Sequence, residues 1–158
     1  MYLRGLLFVG VALMAACDSV DNAESDAPTL CLNRFQACVN PVLNAAVASG
    51  GGCASSSCHG IGGSGGNFRI ENPATFSSFL SAVGMTTPGS PGSSRLLTHP
   101  TTGTGHTGGT YSRFEDTNDT CYQDVAAWIS TVVSDPNDVV CGSGAPACFT
   151  VDPANSCQ

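Results

Sequence analysis

The densest chemistry in the chain lies in Cys53-Ala54-Ser55-Ser56-Ser57-Cys58-His59-Gly60. A thiol can act as a nucleophile, ligate a metal as thiolate or oxidise to a disulfide, and an imidazole can ligate a metal through either nitrogen. In the haem attachment motif Cys-x-x-Cys-His, the thiols form thioethers with the two vinyl groups and the histidine is the proximal iron ligand. Here four residues separate the cysteines instead of two. A second reading of the stretch is a small Cys53–Cys58 disulfide beside an exposed His59, which a flexible loop of this length permits. Ser55 and Ser57 stand near His59, but no aspartate accompanies them, and no acid–base pair or nucleophilic triad is visible elsewhere. The expectation is a protein that is not an enzyme.

Several short helices must position this stretch. Leu32, Phe35, Val39, Val42, Leu43 and Ala46 share one helical face, interrupted by Pro41. Asn40-Pro41 predicts an N-cap and first helical position, with a helix from Pro41 to about Ser49 stopped by Gly50-Gly51-Gly52. Asn72-Pro73 predicts a second start, followed by the stripe Phe76, Phe79, Leu80, Val83 and a stop at Gly84. A short helix is expected at Ser94–Thr98. The last runs from about Asp119 to Val133, with Cys121, Val125, Trp128, Ile129 and Val132 on one face and Asn118 or Asp119 as cap. Glycine- and proline-rich loops separate the helices, no strand alternation is evident, and a loop-rich tail follows. These features predict an all-α fold.

The N-terminus reads as targeting. One arginine, Arg4, precedes an apolar run from Gly5 to Ala16, too short to span a bilayer, which needs ~20 apolar residues. The run ends Leu13-Met14-Ala15-Ala16-Cys17, which resembles the bacterial lipobox, with Met14 where leucine is usual. Residues 1–16 are therefore expected to be a signal peptide, and residues 17–30 a flexible tether lipidated at Cys17. The alternative is ordinary cleavage near Ala16 without lipidation. Either places the mature chain outside the cytoplasm, in the cell envelope on its periplasmic or outer-surface side.

Composition agrees with that compartment. The 158 residues include nine cysteines, more than a reducing cytosol favours. Charged residues make up 11%, against ~25% in an average chain. The formal net charge is −7 and all five basic residues are arginine. This excludes nucleic-acid binding through a basic surface, which needs clustered Lys and Arg.

Taken in order, Val42-Leu43, Cys58-His59-Gly60, Gly65-Gly66-Asn67-Phe68, Pro91-Gly92-Ser93-Ser94-Arg95-Leu96-Leu97, His106-Thr107-Gly108-Gly109 and Ala127-Trp128-Ile129 resemble the short monohaem c-type cytochrome domains of bacterial envelope lipoproteins. The likeness covers residues 31–133 and leaves residues 134–158 as a cysteine-containing tail. It implies a small cytochrome c-like domain carrying one haem c, bound through Cys53 and Cys58 with His59 as proximal ligand. For the sixth position it implies His106, in the glycine-rich loop before the last helix, with Met85 and then His99 as alternatives. A bis-histidine centre would sit at a lower potential than a His/Met centre. Arg69 or Arg95 could pair with a haem propionate, or make a surface salt bridge to Glu71 or Asp116.

Setting aside Cys17 and the haem pair, Cys31, Cys38, Cys121, Cys141, Cys148 and Cys157 remain as disulfide staples. If the first and last helices pack as in cytochromes c, Cys38–Cys121 is the favoured bridge. Cys31 then joins the tail and the other two tail cysteines pair with each other. The function this implies is electron transfer by a lipid-anchored envelope protein with basic or neutral redox partners. The rival is a disulfide-stapled envelope lipoprotein without cofactor, acting in binding or adhesion.

Overall fold

The structure, a computed structural model, describes residues 29–46, 52–101, 106, 113–133, 141 and 147–150. In order these form β1 (Thr29–Leu30), α1 (Leu32–Arg34), a π-helical turn (Phe35–Val39), α2 (Asn40–Asn44), α3 (Phe76–Val83), a 3-10 turn (Pro91–Ser93), α4 (Arg95–Thr98), α5 (Thr120–Ser130) and β2 (Val132–Val133). The expected signal peptide, Cys17 and Cys157 lie outside the described residues, as does most of the tail.

The all-α expectation is corrected. Helix makes up about 41% of the described residues, and β1 and β2 form a two-stranded antiparallel sheet, Thr29 opposite Val133 and Leu30 opposite Val132. Strands of two residues are too short for period-two alternation to register in a sequence. Thr29 and Leu30, read as tether, belong to the folded body, where Leu30 is fully buried. Val132 and Val133, read as the end of the last helix, turn out of it after Ser130.

The first helical segment also differs from expectation. Asn40 is not a cap; it is buried and helical, and its N–H reaches back five residues to the Phe35 carbonyl. Proline has no N–H, and its ring crowds the preceding turn. Widening that turn to π geometry lets the chain remain helical through Pro41. Helix α2 stops at Asn44, short of Ser49, because Ala45 is already extended (ψ 137°). The Asn44 side chain donates to the Asn40 carbonyl (2.9 Å) and closes the last turn.

The later helices begin close to the expected places, but α3 starts at Phe76 and not at the Asn72-Pro73 signal, and α4 at Arg95, one residue after Ser94. The Thr75 hydroxyl caps α3 by accepting from the Ser78 N–H (3.1 Å), and Gly84 ends it. Its buried face carries Ser78, Phe79 and Ala82, leaving Phe76 and Leu80 half exposed. Ser94 precedes α4, and the Asp119 carboxylate caps α5 by accepting from the Cys121 N–H (2.7 Å). Cys121, Val125, Trp128 and Ile129 are all buried, as their spacing requires.

The core forms where the first helical segment meets α3 and α5. Phe35 packs on Trp128 (centroids 5.4 Å) and on Phe79 (5.7 Å). The Trp128 indole N–H donates to the Cys31 carbonyl (2.9 Å), which also accepts from the Phe35 N–H (3.0 Å).

Between described residues the disulfides are Cys31–Cys141 and Cys38–Cys148, each closing a separation of 110 residues. Cys31 does join the tail, but Cys38–Cys121 does not form, and Cys141 and Cys148 do not pair with each other. The register of α5 explains this. Asp124, one turn beyond Cys121, meets Cys38, and the ligating atoms of Cys38, Asp124 and Cys148 lie within 4.8 Å of one another. Cys121 is itself disulfide-bonded, to a residue outside those described. Asp124 is fully buried and accepts the N–H groups of Phe149 (2.7 Å) and Thr150 (2.9 Å), fastening the tail beside the second bridge. That cluster is a staple, since a disulfide offers no thiolate to a metal.

Trp128→Ala is expected to cost ~3–5 kcal/mol through the cavity it leaves. Trp128→Phe should cost ~1–3 kcal/mol by removing the indole donor from a buried carbonyl. Urea unfolding of both variants checks the order.

Candidate functional site

The segment from Cys53 to Phe68 is held as a chain of turns. The Ser55 N–H donates to the Gly52 carbonyl and the Cys58 N–H to that of Ser55. The His59 N–H then reaches back to the Cys53 carbonyl (2.9 Å). That last bond closes the loop from Cys53 to His59 across five intervening residues. Neither cysteine of the loop is disulfide-bonded; Cys53 is buried and Cys58 half-buried. The disulfide alternative read from the sequence is therefore absent from this structure.

His59 is fixed through one nitrogen. Its Nδ1 pairs with the Phe68 carbonyl at 3.1 Å, and its ring packs edge-on against the Phe68 ring (4.7 Å). A carbonyl partner requires Nδ1 to carry the proton, which leaves Nε2 as the lone-pair nitrogen available to a metal. The loop returns tightly enough to need glycine at position 65. A Cβ there would overlap His59 Nδ1 and the Cys58 carbonyl oxygen. The Ser55 and Ser57 hydroxyls pair with each other (3.2 Å).

Beside this loop lies a cavity of about 640 Å³. Cys53, Cys58 and His59 form one side. Met85, His99 and His106, the three sixth-ligand candidates, all line it as well. Leu43, Phe68, Leu96 and Pro100 supply apolar wall, while Ser57, Ser64, Asn67 and Arg95 supply polar groups. Met85 follows α3, and its carbonyl accepts from the Leu96 N–H (2.9 Å), joining it to α4.

The chain around His106 is pinned at its base. The Pro100 carbonyl accepts from the Arg113 N–H (2.7 Å), and Thr101 bridges to Phe114. The buried Arg113 guanidinium donates to the Val42 carbonyl, tying the same point to the first helical segment. The His106 ring lies near His59, with ring centroids 6.2 Å apart. Burial, then the neighbouring His59 and His99, lower the His106 pKa below its ordinary value. The ring is thus favoured in its neutral, metal-ligating form.

These distances separate two kinds of site. Two imidazoles ligating one metal at ~2 Å per bond bring their ring centres to about the observed separation. A compact tetrahedral ion would also need three or four donors converging on a point. Among the described residues, only Cys38, Asp124 and Cys148 approach one another that closely. Cys53, Cys58, His59 and His106 instead surround a space large enough for a planar group carrying a metal at its centre. The donor set and the cavity therefore fit a haem.

Arg95 lies on the cavity, whereas Arg69 is not among its lining residues. Among the described residues neither pairs with Glu71 or Asp116. Sequence reasoning missed Asp124; the signal was an acidic residue at position 124 of a helix whose buried face includes Cys121 and Trp128. It also missed the Phe68 carbonyl, since backbone partners leave no mark on residue type. No helix among the described residues is long and apolar enough to cross a membrane.

Comparison with known proteins finds no matching family model, no matching curated relative and no matching solved structure. None of the three identifies a cytochrome c domain.

Gly65→Ala should displace the His59 ring or the Cys58 carbonyl, at a cost of ~1–3 kcal/mol. Urea unfolding measures that loss, and the His59 ring proton shifts report whether the bond to Phe68 is broken.

Proposed function

We propose that this chain binds one haem c covalently and transfers single electrons as a lipid-anchored protein of the cell envelope. The observation that carries the reading is the placement of Cys53, Cys58, His59 and His106 around one cavity, with His59 Nδ1 engaged by the Phe68 carbonyl so that Nε2 keeps its lone pair. Cys53 and Cys58 would anchor the ring edge as thioethers. His59 would be the proximal ligand and His106 the sixth, with Met85 and His99 as the alternatives lining the same cavity. When bound, haem iron supplies a one-electron couple.

The residues then set its environment. Leu43, Phe68 and Leu96 exclude water from one side, which favours the less charged state of the centre. The net charge of −7 suits a basic or neutral redox partner, with salt weakening the encounter. Cys17 would carry the lipid and hold the domain at a membrane surface.

The test is the full chain exported with the cytochrome c maturation machinery. The expected result is a reduced spectrum with sharp α and β bands, and haem that stays with the polypeptide after denaturation. Absence of both would end the reading in favour of a cofactor-free stapled lipoprotein. His106→Ala should change the spectrum while Met85→Ala leaves it unaltered, and the reverse result would move the sixth ligand to Met85.

Lipidation is checked separately. Cys17→Ser should shift the protein from the membrane fraction to the soluble one, with its haem content unchanged.

A further inference from the structure

The described cysteines stand in two states. Cys53 and Cys58 are free thiols, while Cys31–Cys141 and Cys38–Cys148 are bridged. A thiolate attacks a disulfide sulfur and displaces its partner as a new thiolate, so free thiols in one molecule can shuffle its bridges.

The two bridges are closely matched. Each joins a buried N-terminal cysteine, Cys31 or Cys38, to a half-buried tail cysteine, Cys141 or Cys148, over the same separation of 110 residues. They differ in one neighbour. A carboxylate oxygen of Asp124 lies within 4.8 Å of both sulfurs of Cys38–Cys148. Among the described residues, no acidic or histidine side chain makes such a group with Cys31 and Cys141. One Asp124 oxygen accepts the Phe149 N–H (2.7 Å) and the other the Thr150 N–H (2.9 Å). Acceptance at both oxygens suits a carboxylate anion. Asp124 is fully buried, so little water screens its charge from the sulfurs.

That charge sits where exchange must place another. Cys148 is the accessible end of the bridge, so an incoming thiolate attacks its Sγ. The bond to Cys38 breaks, and Cys38 Sγ leaves with the electron pair as a buried thiolate beside Asp124. With a dithiol reductant, the second thiol then displaces Cys148 and closes the reductant's own disulfide. The two electrons and two protons of the dithiol end on Cys38 and Cys148 as two thiols. The incoming and leaving sulfurs are both anionic, and Asp124 opposes both.

We propose that Asp124 shields the Cys38–Cys148 bridge from thiol–disulfide exchange by its charge, so that thiolates, including those of Cys53 and Cys58, leave the bridge intact. This role is independent of the haem reading and adds to the fastening of the tail.

The test treats the folded, oxidised full chain with three small thiols: cationic cysteamine, neutral 2-mercaptoethanol and anionic 2-mercaptoethanesulfonate. Opening of each bridge is followed by alkylation and peptide mass spectrometry, with rates expressed per thiolate. The net charge of −7 favours the cationic thiol at every bridge, so Cys31–Cys141 serves as the internal reference. In the wild-type chain the ratio of cationic to anionic rates should be about tenfold larger at Cys38–Cys148 than at Cys31–Cys141. Asp124→Asn should bring that ratio down to the reference value, with the anionic thiol accelerated most and Cys31–Cys141 unaffected.

If the two wild-type bridges show the same ratio, or if Asp124→Asn speeds all three thiols alike, Asp124 is a fastening only and the proposal is overturned. Where circular dichroism shows that Asp124→Asn does not fold, the comparison of the two bridges within the wild-type chain decides alone.

Discussion

The carbonyl of Cys31 is the point on which the rest of the structure depends. It accepts the Phe35 N–H, which starts the first helical segment, and the Trp128 indole N–H, which brings α5 against that segment. Both groups are buried, so leaving either unmade would cost its full desolvation. Around this carbonyl lie the Cys31–Cys141 bridge, the β1–β2 pairing and the aromatic contacts of Trp128 with Phe35 and Phe79. Once α5 is docked, its register is set, and that register decides where Asp124 and Cys121 point.

From that junction the site is positioned in a few steps. The first helical segment carries Leu43 to the cavity wall, next to the fully buried Val42. Val42 supplies the carbonyl that receives Arg113, and Arg113 with Phe114 holds the base of the segment bearing His106. The Cys53–His59 loop is held mainly by its own backbone bonds and by the close approach at Gly65. The two imidazoles thus belong to separate supports, one a self-contained loop and the other a chain pinned to the core. Their relative placement depends on the core packing correctly between them.

A short chain with long glycine-rich loops has little apolar surface to bury, and crosslinks compensate for this. The two bridges between the N-terminal segment and the tail close very long loops, which limits the unfolded chain most in the loop-entropy view. Asp124 adds a polar fastening in the same place.

The sequence by itself determined the local features. The Asp119 cap and the stop at Gly84 lie where residue type and hydrophobic spacing put them, and α4 begins one residue after Ser94, whereas α3 starts at Phe76 and not at the Asn72-Pro73 signal. Cys53, Cys58 and His59 could be recognised together because they sit within one loop. These interactions act over a few residues, so residue type and spacing carry them. The tertiary structure alone decided which cysteines pair, because the outcome turned on whether Cys121 or Asp124 faces Cys38, a matter of helix register across the core. It also decided that two dipeptides pair as strands, which contradicted an all-α reading. Finally, it brought His106 to within 6.2 Å of His59, 47 residues earlier in the chain. No local signal fixes such a distance, because it joins two segments that residue spacing alone does not relate.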